Sequence, residues 1–214
     1  MIWQALDWVT MRAADVHRAM ERRRVTRELA NLPQYSFTDD YVSRHIDNWT
    51  RLLAPWQGAA GVRMLELGSY EGRSAVWFLQ NVLTGEGAGL VCVDVFYRPR
   101  WELRFDHNIR VSGKGGRVTK VKGQAAEFLA AAPESFDIIY VDASHEARDV
   151  LLDGMLSWRR LTPGGMLIFD DYLWEQERSA TRRPQLAIDL FLENFAGQYD
   201  LVLKEYQVAI RRVR

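Results

Sequence analysis

The chain has 214 residues, enough for one α/β domain with additional elements and a sizeable core. Hydrophobic residues make up 48% and charged residues 26%, the balance of a water-soluble globular protein. Lys plus Arg equals Asp plus Glu at 28 each, so no overall field draws the chain to nucleic acid or to a membrane surface. The single cysteine, Cys92, excludes an internal disulfide and points to a reducing compartment; inside an apolar run it reads as a small buried residue.

The first residues do not form a secretory signal, because Asp7, Arg12 and Asp15 interrupt the apolar run. No stretch approaches the roughly 18 to 20 apolar residues that cross a bilayer. A cytoplasmic location is expected. Ile2, Leu6, Val9, Ala13, Val16 and Met20 recur in steps of four and three, one apolar stripe on a helix. The opposite face carries Arg12, Arg18, Arg22, Arg23 and Arg24, and a solvated face is the preferred reading of it. The stripe has two candidate partners, the domain core or a second copy of the chain, so a homo-oligomer through this helix is one expectation.

Asp39 is placed to cap a second helix carrying Val42, Ile46, Trp49 and Leu53 on one side, with His45 read as a surface residue. Residues 1–54 thus form a helical N-terminal extension, and 55–214 the main domain. From Val62 the pattern alternates. Strands are expected at 62–67, 90–95, 118–121, 138–141 and 166–169, helices at 74–83, 101–111, 125–132 and 146–161. Pro184 opens a last helix, and 201–203 with 208–210 form a closing pair of strands. The prediction is an α/β, Rossmann-like, doubly wound and mostly parallel seven-stranded sheet with an antiparallel C-terminal strand.

Open parallel sheets bind ligands at the carboxyl ends of their strands. After the first strand comes Glu66-Leu-Gly68-Ser69-Tyr70-Glu-Gly72-Arg-Ser74, whose glycines permit a sharp turn and whose following helix suits an anionic group. It is neither G-x-G-x-x-G nor a G-K-[ST] loop. Asp94 ends the second strand, where a carboxylate can accept from ribose hydroxyls, and Gly123-Gln124-Ala125-Ala126 follows the third as a small-residue turn able to cover an adenine ring. Asp142-Ala-Ser-His145 follows the fourth strand and Asp170-Asp171 the fifth. Three converging carboxylates repel one another unless a cation neutralises them, and all-oxygen ligation suits Mg²⁺. On spacing alone, helix capping or water binding accounts for such acids equally well. His145, with a reference pKa of about 6.5, is a candidate general base or a helix-start residue bonded to a neighbour.

Met64 to Ser74 resembles the first motif of class I S-adenosylmethionine-dependent methyltransferases, and its glycine, tyrosine and serine spacing is similar to that of the catechol O-methyltransferase family. The likeness continues through Asp94, Gly123 to Ala126, Asp142 to His145 and Asp170-Asp171, and the Asp-x-x-His arrangement looks most like the macrolide-sugar O-methyltransferases. The resemblance implies that Glu66, Gly68, Ser69, Tyr70, Gly72 and Ser74 hold the methionine part of S-adenosylmethionine. It places Asp94 on the ribose, Gln124 and Ala125 at the adenine, and Asp142 beside the cofactor. It further implies Mg²⁺ on Asp142, Asp170 and Asp171, His145 as the base that deprotonates a small-molecule hydroxyl, and a lid at 172–183. The catechol enzymes carry lysine where this chain has His145 and asparagine where it has Asp171, which favours a sugar or other natural-product acceptor over a catechol. The alternatives are an enzyme of another reaction class on this fold, either an aminopropyl transferase or a metal-site enzyme related to sugar hydroxylases, and a non-catalytic cofactor-binding scaffold.

Overall fold

The computed structural model describes residues 2–213, with side chains described from residue 14 onward. Seven strands form one sheet in the order β3-β2-β1-β4-β5-β7-β6. They are β1 (Arg63–Leu67), β2 (Gly89–Asp94), β3 (Val118–Lys122), β4 (Phe136–Val141), β5 (Leu161–Phe169), β6 (Tyr199–Lys204) and β7 (Val208–Arg212). The first five run parallel, while β7 lies antiparallel between β5 and β6. The helices are α1 (Ile2–Leu29), α2 (Ile46–Leu52), α3 (Arg73–Asn81), α4 (Pro99–Val111), α5 (Ala125–Ala131), α6 (Ala147–Arg160) and α7 (Pro184–Asn194). Sheet type, strand number and the antiparallel strand near the C-terminus agree with the sequence reading.

Alternation along the strands explains two cores, one on each sheet face. Met64, Ile138, Tyr140, Met166 and Ile168 pack with Trp49, Phe78 and Phe105 from α2, α3 and α4. Leu65, Leu67, Ile139, Val141, Leu167 and Phe169 face the other way, toward Leu129, Val150, Trp158, Ile188 and Phe191 of α5, α6 and α7. Cys92 is fully buried, as expected.

Two N-terminal expectations are corrected and a third is tested in part. No side chain caps α2, whose N-cap is His45; a 3₁₀ turn at Ser43–His45 precedes it, and it is Asp40, not Asp39, whose Oδ1 accepts from the backbone entering that turn, the amides of Val42 and Ser43 at 3.2 and 2.9 Å. His45 is buried, 3% exposed, because that turn tucks it between Trp49 and Tyr206. On α1 the inward face is Glu21, Val25 and Leu29, while Val16 and Met20 are 59% and 65% exposed; the rest of the stripe, Ile2, Leu6, Val9 and Ala13, lies outside the residues with described side chains. Glu21 is held by Arg100 at 3.0 Å and Glu28 by Arg104 at 2.7 Å, which ties α1 to α4 through ion pairs. No helix among the described residues is long and apolar enough to cross a membrane.

Candidate active site

Strand register brings the chemistry together. Leu67 pairs with Val141 and Val141 with Phe169, so Gly68, Asp142 and Asp170 leave the sheet side by side. Their amides extend the ladder: Gly68 N–H donates to Val93, Asp142 to Leu67 and Asp170 to Val141, at 2.8, 2.8 and 3.0 Å. Strand order reverses at β1 and β4, the position where such sheets open a crevice.

The turn after β1 is tightly built. Gly68 has φ +86°, and a Cβ there would collide with the Asp142 carbonyl. Gly72, at φ +80°, starts α3. Tyr70 adopts φ +47°, an uncommon left-handed conformation for a non-glycine residue and the sort of strain that collects at functional sites. The turn is held by Asp94: its Oδ2 accepts from the Ser69 and Tyr70 amides, both at 2.9 Å, and its Oδ1 from the Phe96 amide at 2.5 Å. The carboxylate expected at a ribose therefore first organises the glycine turn and keeps one acceptor position free.

Beneath the turn, Glu66 is fully buried; Cys92 Sγ donates to its Oε2 at 3.4 Å, Ser69 and Ser74 stand close enough to favour its carboxylate, and among the described residues its Oε1 and the Ser69 Oγ still lack a well-aligned hydrogen bond. Burial pushes the Glu66 carboxyl up to about 7. Orphaned buried polar atoms at a backbone turn are unusual, and they fit a site completed by a polar ligand.

Two cavities flank this turn. The larger, about 470 Å³, is lined by Gly68, Asp94, Gln124, Ala125, Ser144 and the α6 residue Asp153, among others. It is roomy enough for a nucleoside and its walls fit the adenosyl half of S-adenosylmethionine. The smaller, about 50 Å³, lies between the turn, Tyr140, Asp142, Asp170 and the segment Phe37 to Val42, which the sequence reading took only as the start of the second helix. That segment is fastened to the turn: the Thr38 amide donates to Glu71 Oε2 at 2.7 Å, and Tyr70 Oη to Asp39 Oδ2 at 3.0 Å. No local pattern marks these contacts, which span more than thirty residues of sequence.

The acid cluster divides. Asp142, His145 and Asp171 each offer a ligand atom, all within 4.8 Å of one another. His145 Nε2 lies 2.6 Å from Asp171 Oδ2, and its ring packs on Trp174 with centroids 4.4 Å apart. Asp170 turns the other way. Its Oδ2 accepts a short hydrogen bond from Tyr140 Oη, its Oδ1 accepts from the Asp171 amide at 2.7 Å, and His45 Nε2 stands 3.8 Å from it. Successive residues of an extended chain point to opposite sides, and these two aspartates part: Asp170 stays against Tyr140, while Asp171, at φ +60°, faces His145. The donor set therefore fits a hard divalent cation through Asp142 and Asp171, with Asp170 and His145 on either flank.

Electrostatics agree with a cluster short of positive charge. Burial, then Asp170 and Asp171, hold the Asp142 carboxyl well above its usual range. Burial and Asp171 bring Asp170 up to about 6. Burial would raise Asp171 too, but the His145 contact outweighs it and the net shift is downward. Behind them, burial and the Arg44 guanidinium depress His45 to about 4, so it is neutral near pH 7. Arg44 also covers the Tyr206 ring at 4.0 Å, and Tyr206 Oη donates to Asp171 Oδ1 at 2.8 Å.

Fold and site define the class: this is the class I methyltransferase architecture, the one built around S-adenosylmethionine. A family model described as a methyltransferase domain matches residues 65–172, half of the chain and the whole stretch from the glycine turn to the acid cluster. The chain belongs to this methyltransferase-domain family. It is similar to O-methyltransferase hkm8 of Aspergillus hancockii, 29% identical over 111 residues that make up 51% of this chain and 42% of that protein. The chain matches half or less of the length of the curated relatives. Among solved structures it resembles the O-methyltransferase TomG of Streptomyces achromogenes, in complex with SAM, with TM-score 0.63 and 18% identity over 91% of this chain and 89% of that one. It also resembles an O-methyltransferase of Bacillus cereus, in complex with SAH, with TM-score 0.61 and 21% identity over 90% and 91%.

Proposed function

We propose that the chain is an S-adenosylmethionine-dependent O-methyltransferase that uses Mg²⁺ and acts on a hydroxyl of a small molecule, a sugar or a phenolic natural product. The observation that carries this reading is the position of Asp142. Its carbonyl packs against Gly68 of the glycine turn, and its carboxylate belongs to the acid cluster with His145 and Asp171. A cofactor pocket and a candidate cation and base site thus share one residue.

In this reading Glu66, Gly68, Ser69, Tyr70, Gly72 and Ser74 hold the methionine part, Asp94 the ribose, and Gln124 and Ala125 the adenine. Asp142 and Asp171 would hold the cation, and Asp170, which bonds to Tyr140 instead, would join them as the third oxygen ligand by giving up that bond. When bound, S-adenosylmethionine supplies a sulfonium methyl open to attack by oxygen, and a divalent cation makes an adjacent hydroxyl more acidic. The protein orients the acceptor, excludes water and takes the hydroxyl proton on His145, which Asp171 orients through Nε2. Trp174, whose ring packs tilted against His145, supports a covering role for the segment from Tyr172 to Arg183. A homo-oligomer through the exposed Val16 and Met20 side of α1 belongs to the same proposal.

The test is product mass. Incubation with S-adenosylmethionine, Mg²⁺ and a panel of sugars and phenols should yield a product heavier by one methylene, and chelation should stop its formation. A product heavier by an aminopropyl group, or methyl transfer only to nitrogen, would overturn the assignment.

A further inference from the structure

The larger cavity has an end that the proposed cofactor contacts do not use. Besides Gly68 and Asp94 it is lined by α6, through Arg148, Asp149, Leu152 and Asp153. Asp153 is only 4% exposed, yet among the described residues no hydrogen bond or ion pair reaches its carboxylate. It sits on the buried face of α6 with Val150, Gly154 and Ser157. Its charged neighbour on the helix is Asp149, which bonds instead to Ser144 Oγ at 3.2 Å and Arg148 Nε at 2.9 Å. A buried carboxylate without a donor is costly, more so than an ordinary unpaired polar group. Such a group in a cavity wall is an acceptor waiting for a donor.

We infer that Asp153 reads the exocyclic amino group of the adenine ring, accepting its N–H, and so sets the purine specificity of this pocket. The inference rests on the S-adenosylmethionine reading above, which puts an adenosyl group in this cavity. The turn residues Gln124 and Ala125 line the same cavity and border the ring, but among the lining residues of its α6 wall Asp153 is the buried one. Of the polar positions on adenine, only the amino group donates; the ring nitrogens accept. A carboxylate therefore selects for the amino group, and a purine lacking it leaves Asp153 unsatisfied. A site built to bond a donor rejects the analogue without it far more strongly than a loose apolar wall does.

The experiment is a binding cycle by calorimetry at pH 8.5. The probes are S-adenosylhomocysteine and its analogue with unsubstituted purine in place of adenine. Wild-type protein should prefer the adenosyl compound by about tenfold or more, the loss expected for one charge-assisted hydrogen bond. Asp153→Ala should bring the two affinities to within about twofold of each other, and Asp153→Asn, whose amide oxygen can still accept, should keep part of the preference. Asp153→Val, close in volume and without an acceptor, replaces the alanine variant should that one fail to fold. If wild type binds S-adenosylhomocysteine but the preference is absent, or survives unchanged in Asp153→Ala and Asp153→Val, Asp153 does not read the amino group, while the cofactor assignment stands. If wild type binds neither compound, both assignments fall.

Discussion

Gly68 and Asp142 are in backbone contact: the glycine α-carbon faces the aspartate carbonyl so closely that no side chain fits between them. This contact joins the turn after β1 to the segment after β4, and the two proposed subsites move together if it is disturbed. Gly68→Ala places a methyl group against a backbone carbonyl, at φ +86°, where neither partner can swing aside. Strain at such a conformation costs on the order of 1–3 kcal/mol before the collision is counted. Lower thermal stability and at least about a tenfold weaker S-adenosylhomocysteine affinity are expected. Unchanged melting and binding would show that the turn is not as tightly built as described.

His145 Nε2 and Asp171 Oδ2 meet in the site, 2.6 Å apart. If His145 takes the acceptor proton, His145→Ala should lower kcat by about 10²–10⁴-fold with little change in cofactor affinity. Asp171→Asn should also lower kcat, because the imidazole loses the carboxylate that orients it. Equal losses in kcat and in cofactor binding would instead make His145 a structural residue.

Metal dependence has a separate readout. Chelator should abolish turnover and Mg²⁺ restore it, and Asp170→Ala should behave like the chelated enzyme. Binding of S-adenosylhomocysteine should persist in every case. Full turnover in excess chelator would leave a metal-free methyltransferase.

Asp153 makes stability depend on pH in a defined direction. Burial, followed by Asp149, raises its carboxyl from 3.8 to about 7. Between these values the folded protein holds a proton that the unfolded chain has released, so the group's contribution falls as pH rises through that window and is constant above it. The full effect is on the order of 2–4 kcal/mol. Without ligand, the melting temperature of Asp153→Asn relative to wild type should climb from pH 4 to 7 and then level off. A gap that does not change with pH would mean that Asp153 titrates normally.

Much of this site was legible because its signals are local. Glycines after a strand, acids at strand ends and an Asp-x-x-His run each need only a few residues, and strand–helix alternation places them on one edge of the sheet. The division of the acid pair was less visible. Asp170-Asp171 reads as two ligands, but extended backbone turns neighbours apart, and only the φ of Asp171 shows which way each goes. His45 looked like a surface residue because the 3₁₀ turn that buries it depends on Tyr206, far along the chain. Asp153 did leave a trace in the sequence: it falls on the apolar stripe of α6 between Val150 and Ser157, where a carboxylate is out of place. The path of Phe37 to Val42 over the glycine turn left none, because its contacts are tertiary.

The exposed Val16 and Met20 on α1 lead to a prediction about assembly. Deleting the residues before Leu32 removes this side of the helix along with the Arg100–Glu21 and Arg104–Glu28 pairs. A dimer built on α1 should then sediment as a monomer. A full-length chain that is already monomeric would remove the oligomer from the proposal.

Calorimetric titration of the purified chain with S-adenosylmethionine tests the central claim most directly. The account predicts saturable binding at one site per chain, lost or sharply weakened in Gly68→Ala. Absence of binding to well-folded wild-type protein would contradict it.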